Sequence, residues 1–236
     1  MDKLYIIIPA YNEQETIQSV IDQWYPIVER HDAQGMSRLV IINDGSTDHT
    51  WEILQDQEKT HPLLAPLTKA NGGHGDTILY GYHYALEQGA DYIFQTDSDG
   101  QTLPEEFEAF WEERKGHDMV IGWRKGRQDG FARVFVTKVL KLVIRLCFGV
   151  SVQDANTPYR LMKATTLQKY IDLIPKGFFL SNVLVTVIFT KKGDVRYLPI
   201  TFRPRQGGVN SINMKKIIRV GVQALRDFRK INKEIS

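Results

Sequence analysis

Two aspartates, Asp97 and Asp99, flank Ser98 directly after a short apolar run, and this motif has the clearest chemical potential in the sequence. Side chains two residues apart in an extended segment point to the same side, so the two carboxylates would face one point. Carboxylate and amide oxygens are the ligands that Mg²⁺ and Mn²⁺ prefer. The motif therefore predicts a Mg²⁺ or Mn²⁺ site formed by Asp97, Asp99 and Gln101, although a solvated acidic turn has the same composition.

Three other polar segments follow apolar or helical stretches in the first 120 residues. One is Tyr11-Asn12-Glu13, which comes after Pro9 and Ala10, and the others are 43–46 and the glycine-rich 71–75. Short apolar runs alternate here with stretches of helical periodicity, which predicts βαβ units and a mainly parallel sheet flanked by helices. Ligands bind at the carboxyl ends of the strands in such sheets, so we expect the segments 11–13, 43–46 and 97–99 to meet at one edge.

The elements predicted from periodicity cover most of the chain. The strands are 5–8, 39–42, 64–67, 92–94, 119–121 and 195–200, and the longer helices of the second half are 131–148, 179–190 and one from about Asn213. The last of these has an apolar stripe beside a basic one. No linker separates two units, so the sequence predicts one domain, 1–236, with a first half (1–122) and a second half (123–236) that binds a different ligand.

The net charge of +2 conceals a strong division between these halves. Residues 1–113 contain 5 Lys/Arg and 21 Asp/Glu, whereas residues 114–236 contain 25 Lys/Arg and 7 Asp/Glu. A division of this size favours an anionic partner for the second half. Nucleic acid is not that partner, because the basic half has no DNA- or RNA-binding motif.

Composition also limits the location. A single cysteine, Cys147, excludes an internal disulfide and fits a reducing compartment. No apolar stretch reaches the 20 or so residues of a membrane span, and no signal peptide is evident. We therefore expect a cytoplasmic protein. Amphipathic basic helices could hold it on the cytoplasmic membrane face, although the apolar stripe of the last helix could equally pack on the core.

The order and spacing of four motifs resemble the family-2 glycosyltransferases. These motifs are Ile8-Pro9-Ala10-Tyr11-Asn12-Glu13, Ile42-Asn43-Asp44-Gly45-Ser46-Thr47-Asp48, Asn71-Gly72-Gly73-His74-Gly75 and Asp97-Ser98-Asp99-Gly100-Gln101. The resemblance implies the Rossmann-like A-type glycosyltransferase fold, and a divalent metal that neutralises a departing nucleoside diphosphate. The chain departs from the family at Asn43, where aspartate is usual, and at His74; neither is given a role.

The resemblance implies specific residues for the nucleotide-sugar donor. Asp44 should accept a hydrogen bond from the base, and Asp99 should be the direct metal ligand. Asp97 should lie near the sugar and ribose. The complete donor set is Pro9, Ala10, Tyr11, Glu13, Asp44, Asn71, Gly72, Asp97 and Ser98.

The second half is similar, more loosely, to polyprenyl-phosphate glycosyltransferases of the dolichyl-phosphate mannose synthase group. The similar residues are Gly122-Trp123-Arg124, Arg133 with Thr137, Asp154 with Tyr159-Arg160, and Phe202, Arg205, Gly208 and Ser211. The similarity implies a lipid monophosphate acceptor held by Arg124, Arg133 and Thr137, and Arg205 as a catalytic clamp on the donor diphosphate. Asp154 could be a base or a partner of Arg160, and the structural role is favoured because a phosphate acceptor hardly needs a base.

The leading hypothesis is thus an inverting, metal-dependent transfer of a hexose from GDP-mannose or UDP-glucose to a polyprenyl or dolichyl phosphate at a membrane surface. A partner protein could supply membrane anchoring. Two alternatives stay open: a transferase with a sugar hydroxyl acceptor in cell-wall or polysaccharide assembly, and a non-catalytic nucleotide-sugar binding protein. The motifs do not specify the base or the sugar.

Overall fold

A seven-stranded sheet runs through the centre of the protein in this computed structural model, which describes residues 2–124, 131–203, 228 and 231–233. The strands are β1 (Leu4–Ala10), β2 (Arg38–Asn43), β3 (Leu64–Thr68), β4 (Tyr92–Gln95), β5 (Met119–Arg124), β6 (Arg160–Lys163) and β7 (Val195–Ile200). The helices are α1 (Ile17–Arg30), α2 (Thr50–Glu58), α3 (His74–Glu87), α4 (Phe107–Glu113), α5 (Phe131–Phe148), α6 (Ala164–Tyr170) and α7 (Ser181–Lys192).

The strand order is β3-β2-β1-β4-β6-β5-β7. Strand β6 pairs antiparallel with both β4 and β5, and the remaining pairs are parallel. The prediction of a mainly parallel sheet flanked by helices is confirmed. Because β6 runs in the opposite direction, its first residue lies at the edge where the parallel strands end.

Helices cover both faces of the sheet, which explains why β1 is an uninterrupted apolar run. Alternate residues of β1 and β2 pack against α3, α5, α6 and α7 on one face. Their neighbours pack against α1, α2 and α4 on the other. Gly81 allows α3 to approach closely, since a Cβ atom there would lie 2.5 Å from Cγ2 of Ile7. The two layers hold the strand ends rigidly.

The C-terminal segment is described only in part. Phe228 is helical and fully buried, and its ring lies 5.1 Å from that of Phe148 on α5. Phe228 belongs to the apolar stripe of the predicted last helix. At this position the stripe packs on the core, which was one of its two predicted roles, the other being contact with a membrane. Most of the predicted last helix, together with Arg205, lies outside the described residues. Within the part of the chain that is described, no helix is long and apolar enough to cross a membrane.

Candidate active site

Hydrogen bonds join the loops that follow β1 and β2. The backbone N–H of Asn12 donates to Oγ of Ser46 (3.0 Å), and the N–H of Thr47 donates to Oδ1 of Asn12 (2.8 Å). The N–H of Glu13 donates to Oγ1 of Thr50 (2.9 Å). Asn12 has a φ of 54°, a left-handed conformation that asparagine tolerates better than most residues. The first two predicted donor loops are therefore one rigid unit.

Asp44 is buried behind these loops and accepts three hydrogen bonds. Its Oδ1 accepts from Nζ of Lys69 (2.8 Å) and from the N–H of Gly72 (2.9 Å), and its Oδ2 accepts from the N–H of Gly73 (2.9 Å). Burial alone would raise the pKa of Asp44, but the hydrogen bonds from Lys69 and Gly72 outweigh it and hold the pKa below the usual value. Asp44 is thus an ionised anchor for the glycine loop, and its predicted contact with a base remains a prediction.

The glycine loop lies very close to the second loop. Gly45 has a φ of 67°, and a Cβ atom there would lie 2.8 Å from the backbone nitrogen of Asn71. Lys69 also forms an ion pair with Asp76 on α3 (3.0 Å). These contacts bring the predicted donor residues after β1, β2 and β3 together at one edge of the sheet.

The Asp97-Ser98-Asp99 motif follows β4 at the same edge. Oδ1 of Asp97 lies 2.9 Å from Nε2 of His74, the first residue of α3. Oδ1 of Asp99 accepts from the N–H of Gln101 (3.1 Å), and Asp99 is buried. Although desolvation favours the neutral imidazole, the charges of Asp97 and, more weakly, Asp99 raise the pKa of His74. His74 therefore donates to a carboxylate at the centre of the predicted metal site.

The carboxylates of this motif fit a hard divalent cation. Among the described residues no group of three or more His, Cys, Asp or Glu side chains could hold a metal ion by itself. The two carboxylates of the motif suit Mg²⁺ or Mn²⁺, which proteins commonly hold through one or two carboxylates together with substrate phosphates and water. The side-chain amide of Gln101 donates to the carbonyl of Arg203 (2.8 Å), which anchors it beside the motif.

Phe202 and Arg203, which follow β7, contact Arg124 and Gln101, and so lie between the end of β5 and the segment after β4. The N–H of Arg203 donates to the carbonyl of Gln101 (2.8 Å), and the ring of Phe202 lies 5.1 Å from the Arg124 guanidinium. Arg205 follows two residues later, outside the described part, so its predicted clamp on the diphosphate is untested.

Arg124, at the end of β5, forms a bidentate ion pair with Asp154. Nε of Arg124 donates to Oδ2 (2.7 Å) and an Nη donates to Oδ1 (2.9 Å), and both side chains are only 9% exposed. The carboxylate of Asp154 pairs directly with Arg124, whereas among the described residues it reaches Arg160, its predicted partner, only through the field of its charge. The side chain of Arg133 is outside the described part, and Thr137 is half-buried on α5.

Three residues of this edge were given no role from the sequence: Lys69, His74 and Asn43. Lys69 was missed because a single lysine outside a motif carries no signal until the fold places it beside Asp44. Asn43 uses both ends of its amide: Nδ2 donates to Thr68 (3.0 Å), and Oδ1 accepts from the N–H of Ser46 (3.1 Å). It therefore shapes the loop without a negative charge.

The sequence model of glycosyl transferase family 2 matches residues 5–189, most of the chain. The chain belongs to this family. It is a glycosyltransferase, and the prediction of the family and of its enzymatic class is confirmed. The matched range contains all four donor motifs of this family-2 enzyme and the Arg124–Asp154 pair.

Curated relatives cover nearly the whole chain at low identity. Polyprenol monophosphomannose synthase of Mycolicibacterium smegmatis is 27% identical over 226 residues, 90% of this chain and 82% of the relative. Undecaprenyl-phosphate mannosyltransferase of Micrococcus luteus is 26% identical over 219 residues, 89% of this chain and 88% of the relative. Undecaprenyl-phosphate 4-deoxy-4-formamido-L-arabinose transferase of Edwardsiella ictaluri is 23% identical over 219 residues, and this chain spans only 64% of its length.

Solved structures share the fold of this glycosyltransferase. Glucosyl-3-phosphoglycerate synthase of Mycobacterium tuberculosis, in complex with Mn²⁺, UDP and glucosyl-3-phosphoglycerate, matches 98% of this chain and 80% of its own with a TM-score of 0.68 and 16% identity. The same enzyme with phosphoglyceric acid matches with a TM-score of 0.69. The likeness confirms the predicted A-type architecture.

Proposed function

We propose that this chain transfers a hexose from a nucleotide diphosphate sugar to a polyprenyl phosphate, with inversion at the anomeric carbon. The observation that carries the proposal is the shared sheet edge of the Asp97/Asp99 motif after β4 and of Arg124 at the end of β5, paired with Asp154 in the segment before β6. Carboxylates suited to a metal and a nearly buried guanidinium suited to a phosphate thus lie at the same edge of the sheet, after two strands that only β6 separates. The relatives named above act on polyprenyl or undecaprenyl phosphates, which supports the same acceptor class.

The donor would lie over the loops after β1, β2 and β4. Tyr11 is 48% exposed beside the rigid Asn12–Ser46 unit, so its ring is available to a base. Asp99 and Asp97 would hold a Mg²⁺ or Mn²⁺ ion, which would offset the negative charge of the departing diphosphate. Mn²⁺ in the structural neighbour with UDP supports a divalent cation of this kind. His74 would keep the Asp97 carboxylate oriented toward the donor.

The acceptor phosphate needs positioning more than activation. A phosphate oxygen is already anionic, so it can attack the anomeric carbon as the bond to the donor phosphate breaks, with no proton to remove. Arg124 uses Nε and one Nη on Asp154, and its remaining N–H groups would bind the phosphate. Asp154 is engaged with Arg124, which supports a structural role for it over that of a general base.

The exposed face of α5 supports contact with the cytoplasmic face of a membrane. Leu142 and Leu146 are 57% and 76% exposed, one helical turn apart. Exposed basic residues surround them: Lys138, Lys141 and Arg145. Apolar side chains in a basic border favour binding in the interface of an anionic bilayer. Helix α5 follows Arg124 along the chain, so this face would bring the acceptor subsite to the lipid phosphate.

A lipid-extraction assay tests the proposal. The protein is incubated with labelled GDP-mannose or UDP-glucose, Mg²⁺ or Mn²⁺, and undecaprenyl phosphate in detergent. We expect label in the organic phase, in an acid-labile glycosyl phosphate of inverted configuration. Label that enters only a polysaccharide acceptor in a parallel incubation would refute the lipid acceptor and favour a hydroxyl acceptor.

A further inference from the structure

Arg160 is a fully buried arginine at the base of the acceptor subsite. It is the first residue of β6, between Gln95 at the end of β4 and Ile121 of β5. Its side chain lies on the face covered by α3 and α7. Among the described residues its guanidinium has no carboxylate within ion-pair distance, and its Nε has no hydrogen-bond partner. Burial of a cation in this way is costly, so a role beyond packing is needed to explain it.

The contacts of Arg160 are with backbone carbonyl groups and one hydroxyl. One Nη donates to the carbonyl of Asn182 (2.8 Å) and to Oγ1 of Thr186 (3.3 Å), both on α7. The other Nη donates to the carbonyl of Thr157. Oγ1 of Thr186 in turn lies 2.9 Å from the carbonyl of Ala155. Arg160 and Thr186 therefore tie residues 155 and 157 to helix α7.

The segment 154–157, which Arg160 and Thr186 connect to α7, begins with Asp154, the ion-pair partner of Arg124. Asp154 immediately precedes Ala155, and its carboxylate accepts both hydrogen bonds from Arg124. A continuous series of contacts thus runs from the rigid core, through Arg160 and the 154–157 segment, to the guanidinium that would meet the acceptor phosphate. Burial lowers the pKa of Arg160, and the charges of Asp154 and Asp97 act against that shift, which places both carboxylates within the field of the buried cation.

This arrangement requires the planar guanidinium group of arginine. The two Nη groups reach carbonyls on different segments at once, which an ammonium on a flexible stem does less well. An apolar residue would remove the cost of burying the charge, but it would leave the carbonyls of Thr157 and Asn182 without these donors. The geometry is therefore better explained by precise placement of Asp154 than by stability.

We propose that Arg160 is a positioning residue of the acceptor subsite, which fixes the 154–157 segment so that Asp154 holds Arg124 in the orientation that binds the acceptor phosphate. This inference rests on the proposed lipid-phosphate acceptor. It predicts that disturbing Arg160 weakens acceptor binding far more than nucleotide binding, since among the described residues the series reaches Asp154 by direct contacts and Asp97 only through the field of the buried charge.

Steady-state kinetics of Arg160→Met, Arg160→Lys and Thr186→Val test the proposal, with undecaprenyl phosphate and the donor that the wild type uses. We expect the acceptor KM to rise at least tenfold in Arg160→Met, less in Arg160→Lys, and about threefold in Thr186→Val. The affinity for the donor nucleoside diphosphate with Mn²⁺, measured by calorimetry, should stay within about twofold in Arg160→Lys and Thr186→Val, which keep the charge near Asp97, and should change much less than the acceptor KM in Arg160→Met. Hydrogen exchange of the 154–157 amides should accelerate at least tenfold in Arg160→Met, with no change at 43–48.

Thr166→Val is the matched control. Thr166 also donates to a neighbour from a buried helical position (2.8 Å to Oδ1 of Asp118), but near the opposite edge of the sheet. It should lose a similar amount of stability and keep the wild-type acceptor KM. Folded variants with a wild-type acceptor KM, or with donor affinity and acceptor KM weakened equally, would overturn the role of Arg160. If Arg160→Met does not fold, the other two variants decide. A wild type that never uses undecaprenyl phosphate refutes the proposed function itself, and this inference with it.

Discussion

The two halves of the binding edge are built from opposite chemistry. On the side of β1, β2 and β4, the proposed functional groups are carboxylates, and the protein neutralises one of them, Asp44, with Lys69 and backbone N–H groups. On the side of β5 and β6, the proposed functional groups are guanidinium groups, and Asp154 neutralises one of them, Arg124. The acidic first half and the basic second half of the sequence follow the same division.

The difference indicates how two anionic substrates can share one site. A donor diphosphate can bind among carboxylates when a divalent cation lies between them, whereas an acceptor phosphate needs cations that the protein itself supplies. Each half also holds its key charged residue in a fixed position by burying it among hydrogen bonds. The following four changes test this comparison, beginning with the largest expected effect.

Asp99→Asn should abolish most of the transfer activity. It removes an anionic oxygen from the proposed metal site, so we expect kcat/KM to fall about 10³-fold, or about 4 kcal/mol in the barrier. Nucleoside diphosphate binding in Mn²⁺, measured by calorimetry, should weaken with it. Asp56→Asn, the same change at an exposed position on α2, is the control and should be neutral. Full activity in Asp99→Asn would contradict the proposed role of the donor half.

Asp44→Asn should lower the unfolding free energy by about 3 kcal/mol at pH 7, because it removes the more buried of the two carboxylates that pair with Lys69 and weakens the acceptor of the Gly72 and Gly73 N–H groups. The folded-state pKa of Asp44 lies below its usual 3.8, so its contribution is present above that value and is lost as the pH falls through the folded-state pKa. Urea unfolding at several pH values checks this. The difference between wild type and variant should shrink below pH 4, and a constant difference would show that ionised Asp44 is not the source.

Arg124→Lys should raise the acceptor KM about 30-fold, or about 2 kcal/mol, because lysine cannot hold Asp154 and a phosphate with one planar group. Nucleotide affinity should not change. Arg114→Lys is the matched control, since Arg114 also pairs with a carboxylate, Asp2 (3.0 Å), but near the starts of the strands. Equal kinetic effects at the two positions would argue against an acceptor subsite at Arg124.

The double change Leu142→Ser and Leu146→Ser should reduce binding to phosphatidylglycerol vesicles about fivefold, or about 1 kcal/mol, measured by sedimentation at low salt. Thermal stability should not change, because both side chains are exposed. Met36→Ser removes an apolar side chain that is 43% exposed elsewhere and should keep wild-type vesicle binding. Unchanged sedimentation of the α5 variant would exclude this face as the membrane contact.

Much of the fold could be predicted because parallel strands covered on both faces are uninterrupted apolar runs. The predicted strands 5–8 and 39–42 lie within β1 and β2, which are buried almost throughout. The predicted helix 131–148 has the bounds of α5 because helical periodicity also marks it. Strand β6 was not predicted, since a four-residue strand that contains a buried arginine has no apolar period. Its antiparallel direction depends on pairing with β4 and β5, which are distant in the chain.

The sequence by itself determined the family, the donor motifs and the charge division, because each depends on residues close together along the chain or on composition alone. Only the tertiary structure decided the partners: Lys69 with Asp44, His74 with Asp97, and Arg124 with Asp154. These partners are 23 to 30 residues apart in the sequence. Side chains so far apart along the chain meet only when packing brings the strand ends to one edge, and no local pattern in the sequence encodes that distance.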